Sequence, residues 1–144
     1  MADTEPAVIP MLTYEDCPAA LDWLARAFGF TESLRLVDDN GRIGHAEMET
    51  GSGGLIMLAS GPAGYESPAH RSERYPTIHE WWSAVPWVID GVLVHTADVD
   101  QHHQRARQSG AHILSDPEDT PHGRQYRVED LEGHRWMFMQ PTTA

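Results

Sequence analysis

The chain predicts an α+β fold in which one strand–helix–strand–turn–strand unit is written twice, and three observations carry this expectation. The stretch from Ile9 to Leu58 reads as a strand (VIPMLTY), a helix (AALDWLARAF) and two strands, RIGHAEMET and LIMLAS, around GSGG. Gly91 to Gln140 repeats that order with VLVHT, the helix VDQHHQRARQS, and the strands RQYRVED and HRWMFMQ around LEG. Matching marks keep nearly constant offsets: Asp16 and Asp98 are 82 apart, Gly29 and Gly110 81, Met57 and Met137 80. A unit of this length cannot close a core alone, so the two must pair, and the cleft between them is the place to look for function.

The elements follow in order. Asp16 suits an N-cap, Pro18 the first helical turn and Gly29 a left-handed C-cap. Leu21, Leu24 and Phe28 recur on one face of that helix. The second helix uses Asp98 and Gly110 in the same roles, but its polar body, QHHQRARQ, predicts greater exposure, with His102 and His103 facing solvent. Between the units lies a connector of about 61–90, flanked by module one at about 7–60 and module two at about 91–141, all within a single domain of 1–144. Its Thr77-Ile78-His79-Glu80 run has the form of a capping box opening a short helix, IHEWWSAV, that Pro86 stops. Three of the five tryptophans, Trp81, Trp82 and Trp87, fall here. They suit either a ligand lid or an edge and subunit cover.

Composition narrows the function classes. With 10 basic and 22 acidic residues the formal charge is −12, which disfavours nucleic acid and anionic membrane and suits a cationic partner. No apolar run approaches the roughly 20 residues of a membrane helix, and MADTEPAV lacks signal-peptide order, so the expected location is cytoplasmic. Cys17 is the only cysteine, which precludes an internal disulfide. A small buried side chain is the reading of that thiol.

Alternation splits each strand into two rows. The bulky row (Ala46, Met48; Tyr126, Val128; Trp136, Phe138) is expected under the helices. The other row carries His45 and Glu47, Leu93 and His95, Gln125 and Arg127, and Arg135, Met137 and Met139. A half-apolar concavity with a few convergent polar groups is the form of a small-molecule site. His134, in the turn before the last strand, reads as a capping or packing residue.

Taken in order and twice, the segments YEDCPAALDWLARAFGF, GHAEMETGSGGLIML, HTADVDQHHQRARQSGA and PHGRQYRVEDLEGHRWMF resemble the vicinal oxygen chelate superfamily of glyoxalase I, bleomycin resistance proteins and extradiol dioxygenases. The resemblance spans nearly the whole chain. It implies paired βαβββ modules forming an incomplete barrel around a cleft. In metal-using members it implies one ligand in the first and one in the last strand of each module. Those positions fall on Ile9, Met57, Gly91 and Met137, none of which offers a ligand for a hard or borderline divalent ion. No metal and no cofactor is therefore expected.

The expected function is binding of a small, flat or cationic organic molecule in a homodimer. Its site comprises His45, Glu47, His95, Gln125, Arg127, Arg135, Trp82, Trp87, Met57 and Met137, with Glu47 paired to Arg127 across the module boundary. The alternative is a glyoxalase-like lyase or isomerase using a displaced metal or metal-free acid–base chemistry at His45, Glu47 and Arg127.

Overall fold

The computed structural model describes residues 5–84 and 90–142. Its elements run β1 (Met11–Tyr14), α1 (Cys17–Phe28), β2 (Thr31–Val37), β3 (Ile43–Gly51), β4 (Gly54–Ser60), α2 (Pro68–Arg74), α3 (Pro76–Ala84), β5 (Gly91–His95), α4 (Val99–Gln108), β6 (His112–Thr120), β7 (Gly123–Glu129) and β8 (Arg135–Pro141). They make two βαβββ modules, each with a four-stranded mixed sheet. The orders are β1-β4-β3-β2 and β5-β8-β7-β6, with the first and last strands of each module parallel and the rest antiparallel.

Helix α1 is capped as its sequence dictates. The Asp16 carboxylate accepts from the Ala19 N–H at 3.1 Å, and Gly29 takes φ 75° while returning its N–H to Ala25. In α4, Asp98 accepts from Gln101, but Ser109 closes the helix and Gly110, at φ 87°, turns the chain one residue later. Cys17, Leu21, Leu24 and Phe28 are buried, each large aliphatic or aromatic side chain contributing about 1.5–3 kcal/mol through area removed from water. The bulky rows Ala46 and Met48, Tyr126 and Val128, and Trp136 and Phe138 join them, so the helix-facing sides of both sheets meet in one core. Phe28 touches both Trp136 and Phe138, stitching α1 to the second module.

Three local readings change. Strands β2 and β6 complete the modules at the outer edges, where β2 is exposed along almost its whole length; with charged residues on both faces it carries no alternating apolar signal. The connector holds a helix that the sequence left as loop: Ser67 caps α2 by accepting from His70 N–H, and Pro68 fills its first position. The expected capping box does not form, because α3 begins at Pro76 and places Thr77 inside its first turn. Pro86 and Trp87 lie outside the described residues.

His102 does not face solvent. It donates from Nε2 to the Phe28 carbonyl at 3.0 Å, accepts at Nδ1 from the Tyr126 hydroxyl at 2.6 Å, and lies 3.8 Å from Phe138 between ring centroids. His103 is also largely covered, edge-on to Tyr126. Val99, His102 and Ala106 form the inward stripe of α4, and an imidazole can supply the apolar body of such a stripe while a hydropathy pattern scores it as polar.

Candidate functional site

The remaining strand rows form the outer face of each sheet, and strand register orders them. Across module one, Met11, Met57, Glu47 and Leu34 stand side by side. Across module two the equivalent line is Leu93, Met137, Arg127 and Ser115. The duplication thus puts a carboxylate and a guanidinium at matching positions. One line over, Gly91, Arg135, Glu129 and His112 align; on the other side His95, Met139, Gln125 and Glu118 do.

His45 and Glu47, two apart on β3, share a hydrogen bond of 2.8 Å between Nε2 and Oε2, both side chains partly exposed. Among the described residues, Glu47 bonds its strand neighbour rather than Arg127, the partner expected from the sequence. Glu47 also borders a groove of about 460 Å³ with Glu49, Ser33 and Pro6. His95 lines a different groove, of about 340 Å³, with Leu93, Val8 and Leu55. The sequence-derived residues are therefore gathered module by module: His45, Glu47 and Met57 on one face, and His95, Gln125, Arg127, Arg135 and Met137 on the other.

The connector bears on the second face. The Arg135 guanidinium carbon sits over the Trp82 ring, 4.1 Å from its centroid, and the Trp82 carbonyl accepts from an Arg135 N–H at 2.7 Å. Beneath it Arg135 and Glu129 form a dry ion pair, their side chains 4% and 8% exposed, with N–O distances of 3.0 and 2.9 Å. His112 adds a contact to the same carboxylate. A buried pair of this kind holds only while every partner stays in place, so the indole is part of its desolvation shell. Trp81, on the same helix, remains 54% exposed.

The metal positions implied by resemblance do not fit an ion. Ile9 precedes β1 and Gly91 opens β5; by register the residues beside Met57 and Met137 are Met11 and Leu93, equally without a suitable donor. Among the described residues no three His, Cys, Asp or Glu side chains are grouped so as to hold a metal.

Sequence reasoning missed a second polar cluster, at the joint between modules. The β7–β8 turn drives Asp130 into module one. Its Oδ2 accepts from the Tyr14 hydroxyl (2.7 Å) and Trp136 Nε1 (3.1 Å), and its Oδ1 from the N–H groups of Glu132 and His134. Burial raises the pKa of the Asp130 carboxyl, against the lowering by these donors. Glu132 accepts from the Glu15 and Asp16 N–H groups at 2.7 and 2.9 Å, at the mouth of α1. His134 donates to the Thr13 carbonyl at 2.8 Å and packs edge-on to Tyr14, the packing role its turn position implied. The acidic run Glu129-Asp130 and Glu132 was the only signal, and by itself it reads as a solvated turn.

A family model described as the Glyoxalase/Bleomycin resistance protein/Dioxygenase superfamily matches residues 8–138. The Mycobacterium bovis protein Mb0911c is 30% identical over 96% of this chain and 86% of its own length. Among solved structures, TioX from Micromonospora sp. ML1 superposes with a TM-score of 0.68 at 35% identity, covering 96% of this chain and 98% of that one. TnmS3, described as an antibiotic binding protein from Streptomyces sp. CB03234, shares the fold with a TM-score of 0.61 at 21% identity over 96% and 99%.

Proposed function

The chain belongs to the glyoxalase/bleomycin resistance protein/dioxygenase superfamily, and from that premise we propose that it binds a small organic molecule as a homodimer, without the metal its catalytic relatives use. The observation that carries this reading is the residue set at the corners: methionines at both last-strand positions supply apolar wall where a ligating side chain would stand. In this reading Met57 and Met137 form the apolar wall, Glu47 and His45 an acidic side, and Gln125, Arg127 and His95 the donors, while Arg135, engaged by Glu129 and Trp82, holds the wall in place. Trp82 offers a stacking surface for a flat ligand; Trp87, named from the sequence for the same role, lies outside the described residues. The formal charge of −12 draws in a cation. The antibiotic-binding description of a shared-fold neighbour supports the same class of ligand.

Titration of the protein with bleomycin and with planar cationic aromatics, followed by tryptophan fluorescence, tests this reading. Saturable quenching with the ligand recovered intact is expected, and Glu47→Gln weakens a cationic ligand about tenfold. Absence of binding across the panel overturns it.

A second reading rests on one observation, the 2.8 Å His45–Glu47 hydrogen bond, which is the geometry of a base and its orienter. It requires turnover of a carbonyl compound that His45→Ala abolishes.

A further inference from the structure

We infer that the connector helices α2 and α3 are a positioning arm: Glu15 and the β7–β8 turn grip it from outside the cleft, and that grip sets where Trp82 stands in the cleft wall. The inference deepens the small-molecule reading, on which the place of Trp82 in that wall rests.

The two helices are held very differently. Among the described residues α3 buries no side chain, so it has no core of its own to fix its place. The Trp82 contact with Arg135 pins it near its C-terminal end. That contact fixes one point of the helix, and a second is needed to fix its direction. The second comes from α2.

Both modules hold α2. From module one, a single oxygen of the Glu15 carboxylate accepts from the Ser67 N–H at 2.7 Å and from His70 Nδ1 at 2.6 Å. From module two, the Glu132 carbonyl accepts from the Ala69 N–H at 3.0 Å. Ser67, the cap of the helix, is 1% exposed. Gly133 lies so close to α2 that a Cβ there would stand 2.7 Å from the Ala69 nitrogen, so the bare glycine sets how near the helix rides to the turn. Glu15 is itself tied to module two, its N–H donating to the Glu132 carboxylate at 2.7 Å. The pair Glu15 and Glu132 thus joins the modules and holds the arm at one place.

A short, braced corner passes this position to α3. Only Tyr75 separates the two helices; its N–H returns to the Arg71 carbonyl at 3.0 Å, and its carbonyl accepts from the His79 N–H at 2.9 Å. Ser72 is buried in the angle, its hydroxyl 3.4 Å from His79 Nδ1. The chain from Ser67 to Trp82 therefore moves as one body, and a residue that grips its first turn acts on the wall without touching a ligand.

The test uses the whole protein carrying fluorinated tryptophan, with the fluorine resonance of Trp82 assigned by Trp82→Phe. Glu15→Ala is expected to move the Trp82 resonance further than those of the core residues Trp23 and Trp136. Glu15→Gln keeps an acceptor oxygen for the Ser67 N–H and restores the native position, although both variants lose the same charge. Proflavine, a planar cation, binds Glu15→Ala about tenfold more weakly than Glu15→Gln. His70→Ala removes only one of the two bonds, at an exposed side chain, and shifts the Trp82 resonance the same way by less; it decides the matter should Glu15→Ala fail to fold. An unmoved Trp82 resonance in the alanine variants, a glutamine variant as displaced as the alanine one, or equal proflavine affinity in the two would each overturn the inference. A wild-type protein that binds neither proflavine nor bleomycin fails the small-molecule reading alone, because the Trp82 resonance is read without ligand and still decides the arm.

Discussion

Burial pushes the pKa of His102 down to about 4, against the opposite pull of its hydrogen bond to the Phe28 carbonyl. The unfolded chain takes up a proton near pH 6.5, so the folded state loses stability as pH falls from there toward 4. The loss is roughly 2–3 kcal/mol. Urea midpoints at pH 7 and pH 5 measure it, and His102→Phe should flatten the difference; an unchanged pH dependence in that variant would refute the assignment. Cys17 makes the opposite case. Burial pushes its thiol up to about 11, so a thiol reagent at pH 8 should label it only in denaturant. Rapid labelling of the native protein would contradict this. Trp82→Ala strips the cover from the Arg135–Glu129 pair and is expected to cost about 2–4 kcal/mol in chemical denaturation, more than Trp81→Ala, whose side chain is half exposed.

Among elements, the β7–β8 turn is a polar joint between the modules, beside the apolar one made by Phe28. Asp130 satisfies four donors and Glu132 caps α1 from the other half of the chain, so the turn binds a helix mouth, a strand end and its own hairpin together. Tyr14→Phe removes one hydrogen bond to this carboxylate, worth about 1.5 kcal/mol, while Asp130→Ala orphans every donor and should cost about 3–5 kcal/mol. Equal costs for the two variants, measured by denaturant unfolding, would show that the turn does not act as a joint. The equivalent β3–β4 turn, rich in glycine, offers no carboxylate for such a lock.

At the scale of the whole molecule, charge and duplication act together. Module one's outer face is led by Glu47 and module two's by Arg127, at matching places in the repeat. Homodimerisation that brings unlike faces together is the expected assembly; sedimentation should find a dimer that Glu47→Arg weakens and Glu47→Arg with Arg127→Glu restores, and a monomer at all concentrations would refute it. Dialysis against a chelator should leave the thermal midpoint unchanged, since the corner residues do not ligate; a bound ion whose removal lowers the midpoint would overturn the metal-free reading.

The sequence by itself determined the module order, the cap of α1, the helix-facing rows and the unfitness of Met57 and Met137 as ligands. Those features rest on local geometry and residue chemistry, which periodicity and residue identity report directly. It left β2 and α2 unread, since an edge strand exposed on both faces and a short helix inside a polar connector carry no periodic apolar signal. Only the tertiary structure decided that His102 is sealed inside, that Asp130 joins the modules, that Trp82 covers Arg135, and that Glu15 and Glu132 hold α2 between the modules. Each of these depends on which turn faces which strand across the repeat, a relation between residues tens of positions apart that no local pattern encodes.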